Sequence, residues 1–181
     1  RFMPRLCRFF LEEVEPHPFE LRWHLLVQGS EPDPKGYNKI DEALGWIPDG
    51  WVWTPSDDSL HDPSLFRRLG EVVQVAGQPE PGAVVFRVEV PWTPPRETIW
   101  RVCEAKPAFM HPNYVSGVSV FWRRSFLGDE RHDFDRHGET ADGCLVERMH
   151  WRHPNRFAFV DEPLVWYNSL EQPETKKEVA R

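Results

Sequence analysis

Apolar residues alternate with polar ones along several stretches of the chain, and this period-2 pattern is the mark of a half-buried strand. From Phe19 to Val27 the alternation is clean: Phe19, Leu21, Trp23, Leu25 and Val27 fall on one side, Glu20, Arg22 and His24 on the other. Ala83 to Val90 repeats it, with Phe86, Val88 and Val90 opposite Arg87 and Glu89. Tyr114 to Arg123 and Gly143 to Trp151 alternate too, and the first is rich in the β-branched and aromatic residues that suit a pleated surface. The pattern predicts that these last two are antiparallel strands joined by a long polar loop, 124–142. Shorter strands are expected at Trp51–Trp53, Glu71–Val75 and Thr98–Glu104, and at Arg156–Val160 and Leu164–Tyr167, split by Pro163.

Helical signals are fewer. Leu6, Phe9, Phe10 and Val14 share a side if a helix follows Pro4, Lys39–Gly45 suits one or two turns after Asn38, and Ser64–Leu69 follows Pro63 and meets Gly70 as a stop. The sum is a β-rich domain, mainly antiparallel, sandwich or barrel-like, with two or three short helices. It spans residues 19–167, between an N-terminal arm over 1–18 and a C-terminal arm over 168–181. The chain, 181 residues long, is sufficient for one domain with an ample core.

Charge narrows the partners. The net charge of −7 repels phosphate backbones and no basic stripe offsets it, so nucleic acid is not expected. No apolar run reaches the roughly 20 residues of a bilayer span. Three cysteines, Cys7, Cys103 and Cys144, lack CxxC spacing and read as buried free thiols.

Candidate chemistry concentrates between residues 124 and 153. Arg136-His137-Gly138-Glu139-Thr140 resembles the histidine phosphatase signature, in which the histidine attacks phosphorus. The resemblance covers five residues, follows the acidic Asp133-Phe134-Asp135, and lacks the buried strand near the start of an α/β fold that the family places before it, so it implies no membership. His132, His137, Cys144, His150 and His153 fall close enough in sequence to raise a metal site. On a strand, however, Cys144 and His150 would lie roughly 20 Å apart, which leaves His132 and His137 as the metal candidates. No P-loop, GxGxxG or nucleophile elbow is present.

Nine tryptophans remain to be explained. Trp51, Trp53 and Trp92 are the expected anchors of an interface or a ligand, because tryptophan is enriched at interface centres and stacks on apolar ligands. The leading expectation is a non-catalytic accessory subunit of a large assembly of the mitochondrial respiratory-chain or ATP-synthase type. It would need no cofactor, touch other protein subunits, and be at most peripheral to a membrane complex. The start at Arg1 is read as presequence removal, hence a mitochondrial location. Two alternatives stand beside it: a small-molecule or carbohydrate-binding β-domain with a cavity lined by Trp51, Trp53 and Trp92, and a metal-dependent enzyme using the histidines of 132–153.

Overall fold

A computed structural model describes residues 3–22, 24, 36–56, 59–75, 80–89, 102–112 and 114–167. In chain order the helices are α1 (Met3–Arg8, continued by a π turn over Phe9–Glu13), α2 (Tyr37–Leu44), α3 (Leu65–Val75), α4 (Arg124–Leu127), α5 (Phe134–His137) and α6 (Ala141–Arg152). The strands are β1 (Trp51–Val52), β2 (Leu60–His61), β3 (Ala83–Glu89), β4 (Val102–Cys103), β5 (Val120–Arg123) and β6 (Phe157–Trp166). Among the described residues no helix is long and apolar enough to cross a membrane.

The strands form one mixed sheet in the order β1-β5-β3-β6-β2. β3 is its centre. One edge of β3 pairs along its whole length with β6, in parallel; the other is shared by β5 at Ala83–Val85 and β4 at Val88–Glu89, both antiparallel. A strand covered on both faces needs a nearly continuous apolar run, and Ala83 to Phe86 and Val88 are all buried. β6 steps past β3 between Phe86 and Arg87: Val160 lies opposite Phe86 and Pro163 opposite Arg87, so exposed Asp161 and Glu162 bulge from the ladder. The bulge accommodates the proline, which has no N–H to give. The two short strands expected around Pro163 are therefore one strand.

Register fixes the faces. Phe121 lies opposite Val84 and Trp51 opposite Arg123, so Trp51, Phe121, Arg123, Val84 and Phe86 share one face. α3 covers it through Phe66, whose ring centroid is 5.8 Å from that of Phe121, and the N-terminal segment through Phe9, 5.1 Å from His61. The opposite face carries Val120, Trp122, Phe157 and Phe159. His150 of α6 meets Phe157 there at 5.1 Å, and Phe126 of α4 stacks on Trp122. The result is three layers, helices–sheet–helices, rather than two facing sheets or a barrel.

Several sequence expectations need correction. The predicted return strand over 143–151 is α6, so the 114–123/143–151 hairpin does not form, and only Val120–Arg123 of its first arm is strand. Residues 71–75 are the end of α3, not a strand. The sheet is antiparallel in four of its five pairings, but its longest pairing, β3 with β6, is parallel. The 124–142 stretch is not an open loop; it contains α4, α5 and a 3-10 turn, with Leu127 and His132 buried. Of the Phe19–Val27 strand, residues 19–22 and 24 lack strand structure, and the rest lies outside the described residues, as do residues 98–101 of the Thr98–Glu104 strand and the 168–181 arm.

Candidate functional site

Two long-range contacts build the site. The first joins α2 to the segment after α4. Arg124 Nε donates to the Leu44 carbonyl at 2.5 Å, which satisfies one of the orphan acceptors at the α2 C-terminus and ties that helix to α4. Asp41, one turn earlier, then faces His132. Its Oδ1 lies 2.7 Å from His132 Nδ1, and the carboxylate also accepts the His132 backbone N–H at 2.9–3.0 Å and, more weakly, the Asp133 N–H at 3.4 Å. Asp133 adopts φ 58°, a left-handed conformation that aspartate tolerates better than most residues and that turns two successive N–H groups toward one carboxylate. Tyr37, one turn before Asp41, stacks on the imidazole at 5.0 Å and 18°.

A carboxylate only accepts, so Nδ1 carries the proton and Nε2 is the remaining ring position. His132 is 6% exposed, and among the described residues no hydrogen bond engages its Nε2. Burial raises the Asp41 carboxyl, but the hydrogen bonds and charge of His132 outweigh it and hold the group below its ordinary value. The pair thus has the form of an oriented imidazole, the arrangement that fixes a histidine for hydrogen bonding or proton transfer.

The second contact joins the N-terminus of α6 to the segment before β5. Asp142 Oδ2 accepts Ser116 Oγ at 3.0 Å and the Gly117 N–H at 2.7 Å, and Oδ1 lies 2.8 Å from the Gly143 N–H. A side chain at Gly117 would approach the Asp142 Cβ at 3.3 Å, so a glycine suits this approach.

His132 and Asp142 both border a cleft of about 1050 Å³ that opens on the Phe121 face of the sheet. Its apolar wall includes Phe10, Phe19, Trp51, Trp53, Phe66 and Phe121. The same two polar residues also border a small cavity of about 10 Å³ behind it, together with Ile40, Gly117 and Trp53, so the two polar centres are neighbours.

The sequence candidates are distributed unevenly over this site. Trp51 is half-buried and lines the cleft. Trp53 lines it too, but its indole is committed to the core: Nε1 donates to the Val118 carbonyl at 2.9 Å, and the ring lies 5.2–6.3 Å from Phe10, His61, Phe66, Phe86 and Phe121. Trp92 lies outside the described residues. His132 is in the wall, while His137, half-buried at the end of α5, is not among the described residues that line the cleft. Cys144 and His150 ride on α6, where six residues rise about 9 Å and turn well past one face; the strand spacing expected for them does not hold. His150 packs on Phe157 and Phe159, and burial lowers its basicity. Among the described residues, no three His, Cys, Asp or Glu side chains are grouped to hold a metal ion. Arg136 to Thr140 fall on α5 and the turn after it, not behind a buried strand. Cys7 and Cys144 are free, half-buried thiols.

Tyr37, Asp41, Ser116 and Asp142 were not singled out from the sequence. Asp41 and His132 are separated by 91 positions, and no local spacing marks such a pair. No protein-family model matches the chain, and no curated protein matches it.

Proposed function

We propose that the protein is a small-molecule-binding domain whose ligand occupies the cleft on the Phe121 face of the sheet. The observation that carries this reading is the cleft's composition. A space of about 1050 Å³ is walled by aromatic side chains together with charged ones such as Arg22, Lys39 and Arg123, and it is bordered by His132, a buried histidine oriented by Asp41. Apolar walls with a few convergent polar groups are the usual makeup of ligand sites, whose volumes run from roughly 300 to 1,000 Å³. The fold supports this use, because the cleft is framed by the sheet, α2 and α3 rather than by loops alone.

A ligand screen by thermal shift and calorimetry tests it. Ile40→Trp, which fills the wall shared by the cleft and the small cavity, is the control. Compounds that stabilise the unaltered protein and lose their effect in a folded Ile40→Trp variant support the reading. A broad library with no such compound overturns it.

A second reading has its own observation. Trp151 is 79% exposed on α6, although Leu145 and Met149 of the same helix are buried. Exposed tryptophan is characteristic of binding hot spots before they are covered. This favours a non-catalytic accessory subunit of a multiprotein assembly, and the net charge of −7 favours a respiratory-chain or ATP-synthase type over one built on nucleic acid. In that reading Trp151→Ser releases the protein from a high-mass native particle. Native mass at the single-chain value in extracts, with or without the substitution, would contradict it.

A further inference from the structure

We propose that the N-terminal segment, residues 3–14, is a releasable wall of the cleft: it docks over the buried imidazole of His61 and lifts when that ring takes up a proton. This rests on the reading of the cleft as a ligand site and adds a means of regulating it.

The geometry places His61 under the segment. In β2 it lies opposite Val165 of β6, which in turn lies opposite Val88, so it is on the face of the sheet that carries Phe86. Its ring is 6% exposed and packs 5.1 Å from Phe9 and 5.2 Å from Trp53. Nε2 is buried and, among the described residues, has no hydrogen-bond partner. A proton added to this ring puts a charge among aromatic side chains, which is costly until water reaches it. Phe9, itself 1% exposed, is the ring that must move to let water in.

The same segment builds the cleft. Leu6 and Phe10 line it beside Trp53 and Phe66, with Phe10 5.7 Å from Phe66. Leu6, Phe9 and Phe10 belong to one short helical piece, so lifting Phe9 withdraws the other two from the cleft. Two ion pairs close within the segment, Arg5 with Glu13 at 2.6 Å and Arg8 with Glu12 at 3.1 Å, and they travel with it. Glu15 marks the hinge: its N–H donates to the Pro63 carbonyl at 2.9 Å and its carboxylate meets Arg67 at 2.7 Å.

The charges around His61 favour release over accommodation. From the segment, Arg5 acts on it with a like charge, although Glu13 pairs with that arginine. From α3, Arg67 and Arg68 are partly exposed and paired with Glu15, Glu71 and Glu162. Asp62, next in the chain, accepts the Ser64 N–H and Oγ–H, and His17, beyond Phe66, accepts the Phe19 N–H. On the sheet the facing residues are Trp53, Val88 and Val165, all uncharged. Burial and then the Arg5 charge hold His61 at about 4 instead of 6.5. Release restores the ordinary value, so acid multiplies the released population by as much as roughly 300-fold between pH 6.5 and 4.

Amide hydrogen exchange of the full chain at pH 7 and 5.5, corrected for the intrinsic exchange rate, tests the release. A helical piece this short does not persist once undocked, so its amides report lifting. Protection across residues 8–14 is expected to stand below that of β3 at both pH values and to fall about tenfold from pH 7 to 5.5. His61→Leu and His61→Phe, which keep an apolar side chain in place without a titrating group, should each abolish the fall. Indole at ten times its dissociation constant should raise the segment's protection about tenfold, because the docked segment is part of the wall it contacts. Segment protection equal to that of β3, no fall in acid, or a fall that persists in a folded His61 variant overturns the release. Indole that binds without raising the segment's protection overturns the link to the cleft and leaves the cleft reading standing. Failure of indole to bind overturns the cleft reading and that link together.

Discussion

Replacing Asp41 with alanine removes the group that orients His132, and its cost can be worked from the contacts. Two donors of a residue that is 6% exposed, the His132 N–H and Nδ1–H, lose their acceptor. A buried donor left unpaired costs about 1–3 kcal/mol, so the pair costs roughly 2–6 kcal/mol. Alanine returns about 0.5 kcal/mol through helix propensity within α2. The net expectation is a loss of about 1.5–5.5 kcal/mol, measured by urea denaturation at pH 7 with an unchanged slope. Asp41→Asn, which keeps one acceptor oxygen, should lose less. The pH dependence gives a second check. The Asp41 carboxyl is held below 3.8 in the folded protein, so its contribution is present above that value and lost as pH falls through the depressed folded-state value. The gap between the unaltered protein and Asp41→Ala should therefore narrow in acid. A loss below about 1 kcal/mol, or a gap that widens in acid, would refute the claim that this carboxylate positions the histidine.

Other positions give equally direct outcomes. His61 is buried against Phe9 and Trp53 with Nε2 unpartnered, and burial, aided by the charge of Arg5, lowers its pKa from 6.5 to about 4. The unfolded chain then takes up a proton before the folded one does, so stability falls as pH drops from 6.5 toward 4 and levels off below; His61→Leu should abolish that component, worth up to roughly 3 kcal/mol, in paired denaturation curves at pH 7 and 4.5. Phe9→Ala removes a ring that is 1% exposed and should cost about 3–5 kcal/mol by chemical denaturation; a cost under about 1 kcal/mol would show that the N-terminal segment is not part of the core. Gly143→Ala would stabilise an open helix by about 1 kcal/mol, but here the new Cβ meets the Pro112 Cα at 2.6 Å and its carbonyl oxygen at 2.7 Å, so a net loss of about 1–3 kcal/mol is expected in thermal melts and a gain would contradict the packing.

The two glycines also explain where the sequence was legible and where it was not. Ala83 to Glu89 matches its pattern closely, because a β-branched run carries its signal locally, and the turns expected over Lys39–Gly45 fall largely within α2, which however starts at Tyr37 after Gly36 and takes Asn38 inside the helix rather than as its cap. Gly70 and Gly143, by contrast, resemble helix breakers yet lie inside α3 and α6. A side chain at Gly70 would meet the Pro18 ring at 2.8 Å, and one at Gly143 the Pro112 backbone. Both are points of close approach between segments far apart in sequence. The alternation of Leu145, Glu147, Met149 and Trp151 also hid a helical set, Ala141, Leu145, Val146 and Met149, which is the set that is buried. At the site, the sequence pointed to His132 and Trp51 but not to their surroundings. Asp41 supports His132 from another helix, and Asp142 supports Ser116 and Gly117 across the N-terminus of α6; such pairings exist only once the layers assemble.

The measurement that bears most directly on the central claim is a nuclear magnetic resonance titration of the labelled protein with indole, an apolar probe of the cleft, following the Trp51 side-chain N–H, the His132 imidazole C–H and the Trp151 side-chain N–H. The cleft account predicts that the Trp51 and His132 signals move together and saturate at one equivalent while Trp151 stays fixed. Movement confined to Trp151, or no saturable change at Trp51 and His132, would contradict it.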